Sequence, residues 1–385
     1  METLQIKKCL DSVRFYLEKN DFKGYDPYDG LESPLFKIFP FKNWRNFRFL
    51  FQQFIKRFPI NLRSLLGIKK TLNPVTLALS LEGYLNLQEA NKEENYQDKI
   101  QFIVKKLINL SSSNFSGYCW AYPFDWQARY AYIPSKQPNI VATGIVSNAL
   151  FQYWQKTKDK SVEEVLISVK NFVLKDLNQS FEKDGLCFSY SPFDQQKVLN
   201  ASMKATRILA QIYYISKDST LLPIIQNSVH YVLSKQEANG AFPYSNNRSK
   251  VDSYHSAYVI DCLTHINKII TDKKLEKAIE LAYGYYKSTF FNENGEAYFY
   301  NNIKFPLDCT SVGQALKTLT EHNDSQLAKK VAENTVKQMQ KKDGSFRFRK
   351  YAFYTQNTSF PRWSESWMFS GLSYLLKFEF KKTLK

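Results

Sequence analysis

One unit repeats along this sequence: an amphipathic helical pattern, a loop built on glycine and aromatic residues, and a helical pattern that is apolar nearly all round. Its clearest copy runs from Gln236 to Asn267, QEANGAFPYSNNRSKVDSYHSAYVIDCLTHIN. A turn centred on Gly240 leads through aromatic and polar residues to Asp252. Tyr254, Ala257, Tyr258, Ile260, Leu263 and Ile266 then spread around a helix. A helix that is apolar on every side is buried on most of its surface. Recurrence at a fixed period is the mark of a repeat architecture, in which each unit covers its neighbour.

The other copies keep the order. Val162–Leu177 is amphipathic, KDGLCFSYSPFD is a loop and Val198–Tyr214 is apolar. Leu221–Lys235 leads into the copy already described. Leu275–Ser288, NGEAYFYNNIKFPLD and Cys309–Leu319 make the next, and Leu327–Gln340, KDGSFRFRKYAFYTQNTSFPR and Trp363–Leu376 the last. Ile100–Leu110 precedes a long aromatic loop that ends at the apolar stretch Asn139–Trp154. Leu4–Glu18 and the helix from Asn73-Pro74 to Ala90 make a first pair. The turn glycines Gly117, Gly185, Gly240, Gly295 and Gly344 stand roughly 50 to 70 residues apart, a repeat-like spacing. Glycine there supplies the positive φ that ends a helix.

Six amphipathic helices need cover on one side and six apolar helices need it all round. Two concentric rings satisfy both, so the sequence predicts an all-α (α/α)6 toroid. Residues 1–385 form a single domain, with 21–72 as an inserted aromatic and basic helical extension. The inner helices are expected to begin near Pro74, Asn139, Val198, Asp252, Asp308 and Arg362, all at one end. The Gly-aromatic loops then build one funnel, and the inner-helix N-termini point free N–H groups into it. An anionic or hydroxyl-rich ligand suits such a funnel, and its aromatic residues suit stacking on sugars or isoprenoids.

The formal net charge is +17, spread along all 385 residues. The choice is between a solvated basic surface and an acidic partner. Nucleic acid is set aside, because no nucleic-acid motif or clustered basic face is present. The five cysteines, Cys9, Cys119, Cys187, Cys262 and Cys309, form no CxxC pair and suit a reducing compartment. The N-terminus lacks the apolar run of a signal peptide, and no apolar run approaches the ~20 residues of a membrane span. A cytoplasmic protein is expected, with peripheral contact at the inner membrane face open through residues 42–58, KNWRNFRFLFQQFIKRF. There Trp44, Phe47, Phe51, Phe54 and Phe58 make one helical stripe and Arg45, Arg48, Gln52 and Lys56 another. That is a membrane-interface pattern. The reading preferred from sequence is that the aromatic stripe packs on the main domain.

Candidate site residues cluster in the loops. His255 and Tyr254 stand at the first turn of an inner helix beside Asp252, where a base, an acid and an orienting carboxylate can meet. His255 is otherwise a cap or packing residue. Asp125, Asp194, Asp252 and Asp308 each precede an inner helix. They are N-caps, or, across the funnel, a carboxylate pair for inverting glycoside hydrolysis. Arg129, Arg347, Arg349 and Arg362 are candidate clamps for a carboxylate or phosphate. Trp120, Trp126 and Trp363 are candidate stacking surfaces for sugar rings. Asp26, Tyr28 and Asp29 sit in KGYDPYDGLESP, either as turn residues or as a carboxylate–phenol cluster. Tyr28, Asp29, Tyr130, Asn200 and Asp308 complete the expected substrate-binding set. No cofactor and no metal are expected, since Cys262 lies two helical turns beyond His255, too far to share one ion.

The strings QEANGAF and QKKDGSF resemble the Gln…Asp-Gly-aromatic repeats of the squalene cyclase and protein prenyltransferase superfamily. VDSYHSAYVIDCL resembles the helix start that bears the zinc-binding His of prenyltransferase β subunits, but the rest of that zinc site is not matched. GYCWAYPFDWQARYAYIP, FPYSNNRSKVDSYHSAYVIDCL and FPRWSESWMFSGLSYL resemble an uncharacterised family of bacterial toroid proteins associated with surface-polysaccharide gene clusters. The Tyr254–His255 pair is similar in type to pairs in toroid polysaccharide lyases and glucuronyl epimerases. The family resemblance implies a glycan context and names no reaction; taken with the site residues, the expected function is a glycan-modifying enzyme of polysaccharide biosynthesis, acting on an acidic or lipid-linked saccharide by uronic-acid epimerisation, elimination or hydrolysis. The alternatives are an isoprenoid-binding or prenyl-transferring protein and a non-catalytic glycan-binding scaffold.

Overall fold

The structure is a computed structural model that describes residues 1–90, 94–129, 131–245, 251–301 and 303–383. In chain order its helices are α1 (Thr3–Lys19), α2 (Pro34–Ile38), α3 (Arg45–Arg57), α4 (Pro74–Ala90), α5 (Gln97–Asn109), α6 (Ile140–Thr157) and α7 (Lys160–Asn171), followed by α8 (Leu199–Ser216), α9 (Leu221–Leu233), α10 (Ser253–Asn267), α11 (Lys273–Phe290), α12 (Cys309–Glu321), α13 (Ser325–Met339) and α14 (Glu365–Thr383). Helices α4, α6, α8, α10, α12 and α14 each pack on the next, and α14 returns to α4 to close the ring. Helices α1, α5, α7, α9, α11 and α13 lie outside them. The fold is the (α/α)6 toroid, and the strands are short pieces within the loops.

Burial follows the two sequence patterns. Every residue of α4 from Pro74 to Leu87 is buried, whereas α5 buries only Ile100, Ile103, Val104 and Leu107. The inner helices begin where the loop residues cap them. The side chains of Asn139, Asp252 and Asp308 accept from the backbone N–H of Ala142, His255 and Ser311 at 2.8–2.9 Å, which satisfies orphan first-turn donors. The inner helices are less uniformly apolar than the sequence suggests. Glu82, Asn148, Arg207, Gln211 and Gln314 are buried polar residues on them, and they face the hollow of the barrel.

The turn glycines hold neighbouring units together. A Cβ on Gly240 would lie 2.3 Å from the Leu281 carbonyl oxygen of α11, and one on Gly344 would lie 2.2 Å from that of Ser12 on α1. Both have φ in the left-handed region, +94° and +87°. Gly117, Gly185 and Gly295 press in the same way on α7, α9 and α13. Gly117 does so without a positive φ, which corrects the sequence expectation at that turn. The glutamine of the repeat secures the contact. Gln236 Nε2 donates to the Gly240 carbonyl at 3.2 Å and to Ala278 of α11 at 2.9 Å. Gln340 Nε2 donates likewise to Gly344 at 3.2 Å and to Cys9 of α1 at 2.9 Å.

Residues 42–58 hold α3, but the helix is turned the opposite way from the packed expectation. Its polar stripe meets the toroid. Arg48 Nε donates to Gln127 Oε1 at 2.8 Å, Gln52 exchanges hydrogen bonds with the Gln127 backbone, and Lys56 Nζ donates to the Tyr28 hydroxyl at 2.6 Å. The aromatic stripe faces outward: Trp44 is 63% and Phe54 53% exposed, while Phe47 and Phe51 stack on Phe36 of α2. The loops beneath present amide and phenol groups, and buried polar groups demand polar partners. Among the described residues no helix is long and apolar enough to cross a membrane.

Two glycine substitutions separate the seam from ordinary helix propensity. Gly344→Ala is expected to cost about 2 kcal/mol or more, because it combines positive φ with a backbone clash. Gly284, on α11, has open space where a Cβ would stand, so Gly284→Ala should stabilise by roughly 0.5–1 kcal/mol. Urea denaturation of both variants checks this; equal effects would contradict the seam.

Candidate functional site

The starts of the inner helices and the loops before them enclose a funnel. Its deep part is a cavity of about 240 Å³, and outside it lies a vestibule of about 730 Å³. Tyr28, Trp126, Tyr190, Tyr244 and His255 line both parts. Tyr254, Tyr258, Trp363 and Trp367 line the deep part. The walls are therefore aromatic, with hydroxyls and one imidazole set among them.

The Asp252 side chain does two things at once. Oδ1 caps α10, and the carboxylate receives His255 Nδ1 at 2.7 Å (Oδ2) and 3.0 Å (Oδ1). Burial alone would raise the Asp252 carboxyl. The charge and hydrogen bonds of His255, with Arg349 nearby, hold it below its ordinary range. A carboxylate on Nδ1 keeps a proton there, so that in the neutral ring the lone pair is on Nε2. Among the described residues no hydrogen bond engages Nε2, and the ring lines the cavity with its side chain 30% exposed. The ring of Tyr254 lies 5.3 Å from that of His255 between centroids, and its hydroxyl is hydrogen-bonded to that of Tyr258. Burial pushes the Tyr254 phenol far above its ordinary value.

A second pair stands on the same wall. Tyr28 takes the 2.6 Å hydrogen bond from Lys56, whose ammonium also lies 4.0 Å from the Tyr28 ring centroid. Burial opposes ionisation of Tyr28, but Lys56, then Arg349 and Arg362, bring its phenol below the ordinary value. Lys56 was legible only as one member of the basic stripe of 42–58. Nothing in the sequence paired it with a tyrosine in a loop 28 residues away.

Arg362 lines the deep cavity but is already engaged. Its guanidinium grips Asp26 with two bonds, 2.5 Å from Nε and 2.9 Å from Nη2, and lies 4.2 Å from the Tyr122 ring centroid. Arg63 binds Asp29 at 2.7 Å, both buried, and donates to the Asp26 carbonyl. These two pairs fasten the 21–30 loop into the funnel wall. Asp29 is thus a fastening for this loop, away from both parts of the funnel, and the expected substrate contact through it is corrected.

Other expected residues have tasks elsewhere. Asp125 accepts from the Tyr132 hydroxyl at 2.6 Å and the Ser135 amide at 2.7 Å, and Asp194 from Ser191, Tyr190 and Gln196. Each organises its own loop. Asp308 caps α12 and pairs with Arg349. Asp252 is the one carboxylate, among the described residues, that lines either part of the funnel. A carboxylate pair made by Asp125 and Asp194 is not brought together there. Trp120 is wholly buried and donates to the Leu107 carbonyl at 2.7 Å, so it packs and does not stack on a ligand. Arg347 bonds Asn357 and the Gln338 carbonyl on the outside. Trp126, Asn200 and Trp363 do line the deep cavity, and Arg129 lines the vestibule. Asn200 Nδ2 and Trp363 Nε1 are buried donors without a partner among the described residues. Tyr130 lies outside the described residues. Among those described, no three His, Cys, Asp or Glu side chains gather as a metal site.

No family model and no curated protein matches this chain. Solved structures do. It is similar to a cellobiose 2-epimerase from Bacillus thermoamylovorans, with TM-score 0.61 and 11% identity over 81% of this chain and 88% of that one. It is similar to a GH76 α-mannanase from Bacteroides thetaiotaomicron, with TM-score 0.60 and 12% identity over 81% and 87%. A polysaccharide lyase aligns over 100% of this chain and 99% of its own, with TM-score 0.59 and 8% identity. At these identities the likeness is one of fold.

The Asp26–Arg362 pair gives a stability test. Arg362→Met leaves a carboxylate buried and unpaired, so a loss of about 3–5 kcal/mol is expected. Restoration of most of that stability in Asp26→Leu/Arg362→Met, measured by urea denaturation, identifies the pair as a fastening. A stability unchanged by Arg362→Met would return the arginine to the role of a free anion clamp.

Proposed function

We propose that the protein is a glycan-modifying enzyme that moves a proton on a carbon beside the carboxylate of an acidic saccharide. The observation that carries this is the Asp252–His255 pair, with imidazole Nε2 open to an aromatic cavity. His255 is the base. In an epimerisation the same carbon takes a proton back on its other face. In an elimination the C–O bond β to it breaks, and the leaving oxygen takes the proton. Both need a phenol or water that can give up a proton, and both are served by general acid–base groups tuned toward neutral pH.

Tyr28 serves this role better than Tyr254. Lys56 favours the ionised form of Tyr28, whereas Tyr254, bonded to Tyr258 and buried, holds its proton and forms the floor. Arg57 and Arg129 line the vestibule, are exposed, and are in no ion pair among the described residues. They are the groups open to a substrate carboxylate. Trp126 and Trp363 offer faces for sugar rings, and the unpartnered Asn200 and Trp363 donors suit a hydroxyl-rich ligand. The structural neighbours include an epimerase, a mannanase and a lyase, which supports a saccharide substrate.

The lipid-linked form of the substrate is supported by α3. Phe49, Gln53, Lys56 and Arg57 of this helix line the vestibule. Trp44, Leu50 and Phe54 are exposed by half or more, beside Ile38 at 79%, with Lys42 and Arg45 among them. Such a face suits an anionic membrane surface, and would set the funnel mouth against it. Wild type should co-sediment with vesicles containing phosphatidylglycerol, and Trp44→Ser/Leu50→Ser should not; equal sedimentation of the two would remove the membrane from the reading.

Proton abstraction has a direct readout. Incubation with uronate-containing oligosaccharides in D2O should either place solvent deuterium on the carbon beside the carboxylate, by epimerisation, or yield a product with a C=C bond conjugated to the carboxylate, by elimination, both detected by mass spectrometry; neutral oligosaccharides should give neither. His255→Ala should lower the rate of either reaction by about 10²–10⁴-fold with the melting temperature kept. A packing histidine would lower the melting temperature and leave turnover nearly unchanged. Lys56→Met removes the charge that favours the phenolate, so the alkaline limb of the pH–rate profile should move to higher pH. A lack of both deuterium uptake and unsaturated product with every acidic saccharide would sink the proposal.

A further inference from the structure

Behind the funnel floor, toward the C-terminal ends of the inner helices, lies a second cavity of about 610 Å³. Ile145, Tyr258 and Trp367 line both it and the deep part of the funnel, so they form the partition between them. Six Lys or Arg residues against four Asp or Glu line the rear cavity, which leaves its wall positive.

The lining cations that are in no ion pair among the described residues sit on one helix. The lysines contributed by the other inner helices, and Lys268, are in ion pairs: Lys156 and Lys377 share Glu89, Lys268 pairs with Glu321 and Lys317 with Glu82. Lys204 and Arg207 of α8 are in no ion pair among the described residues. Lys204 is 2% exposed, and its ammonium lies 3.4 Å from the Tyr258 ring centroid. Arg207 is 5% exposed; Nη2 donates to the Gly144 carbonyl at 2.8 Å, and Nε has no partner among the described residues. Gln211, on the same helical face, donates to Asn148 at 3.0 Å and leaves Oε1 without a partner. Asp261, the remaining carboxylate of the wall, accepts from the Gln314 amide and, at 2.8 Å, from the Thr318 hydroxyl.

A buried charge without a counter-charge is costly, and here two stand within four residues beside an open space. We propose that the rear cavity is a binding site for a small metabolite bearing an oxyanion, a phosphate ester or a carboxylate, held by Lys204 and Arg207. The guanidinium supplies a planar fork and the ammonium a point charge, a combination suited to either group. Burial draws the Lys204 ammonium down to about 7, with Arg207 and Lys317 adding to the shift; a bound anion restores its charge. The size of the cavity is that of a small-molecule site, about 300–1,000 Å³. This site is separate from the funnel chemistry and does not depend on it.

The full chain is titrated calorimetrically with sodium phosphate and, separately, with sodium succinate, which lacks a sugar ring for the funnel to hold, against sodium chloride of equal ionic strength. Saturable binding of one of them is expected, and which one identifies the anion. Lys204→Met should weaken it roughly 10-fold or more, while Arg57→Ser, in the funnel vestibule, should leave it unchanged. Because a buried substitution can fail to fold, wild-type crystals soaked in sodium tungstate give a second reading. An anomalous peak between Lys204 and Arg207 supports the site. No saturable binding of either anion, binding abolished by Arg57→Ser but kept in Lys204→Met, or tungstate only in the funnel or on the surface overturns it.

Discussion

The molecule depends on the contact between a turn glycine and the backbone of the next outer helix. A side chain at Gly240 or Gly344 has no room, because a carbonyl of the neighbouring unit occupies its place. Gln236 and Gln340 then tie that carbonyl region to the glycine's own carbonyl. The unit-to-unit distance is thereby set at the backbone, before any side chain packs. With the outer ring fixed in this way, the inner helices have a hollow of defined width, and their capped starts are brought to one level around the funnel.

That hollow is divided chemically. Toward the helix starts it is aromatic, with the Asp252–His255 and Tyr28–Lys56 pairs on the wall. Toward the helix ends it is charged. Between the two stand Tyr258 and Trp367, with Lys204 pressed against the rear face of Tyr258. Aromatic rings suit this position because they present a face to a cation on one side and an apolar surface to a sugar on the other. The same inner helices thus serve two environments with different residues along their length.

The architecture was legible because it rests on period. Alternating amphipathic and apolar helices, punctuated by glycine, leave few ways to bury what must be buried. The inner-helix starts at Asn139, Asp252 and Asp308 were legible because capping is local. The orientation of α3 was not. A stripe of aromatic residues at helical spacing ordinarily packs, and only the polar surface of the loops beneath explains why Arg48, Gln52 and Lys56 turn inward instead. The site was legible in part. Asp252, Tyr254 and His255 are close in sequence, so their meeting could be read from helical geometry. Tyr28 with Lys56, and Asp26 with Arg362, join distant parts of the chain by single charge contacts that leave no periodic trace. Asp125 and Asp194 show the converse: a carboxylate ahead of a helix serves its own loop as readily as a substrate.

The closing contact of Gly344 on Ser12 has a consequence of its own. An open solenoid has two terminal units, each held by one neighbour and free to fray. Here α1 packs on α14, and the amino group of Met1 reaches Glu333 of α13 at 2.7 Å, so the first and last units flank each other. Every unit is held from both sides, and none can loosen without opening two interfaces at once. A ring of this kind melts as a whole, and the seam that closes it is one more unit-to-unit contact of the same make.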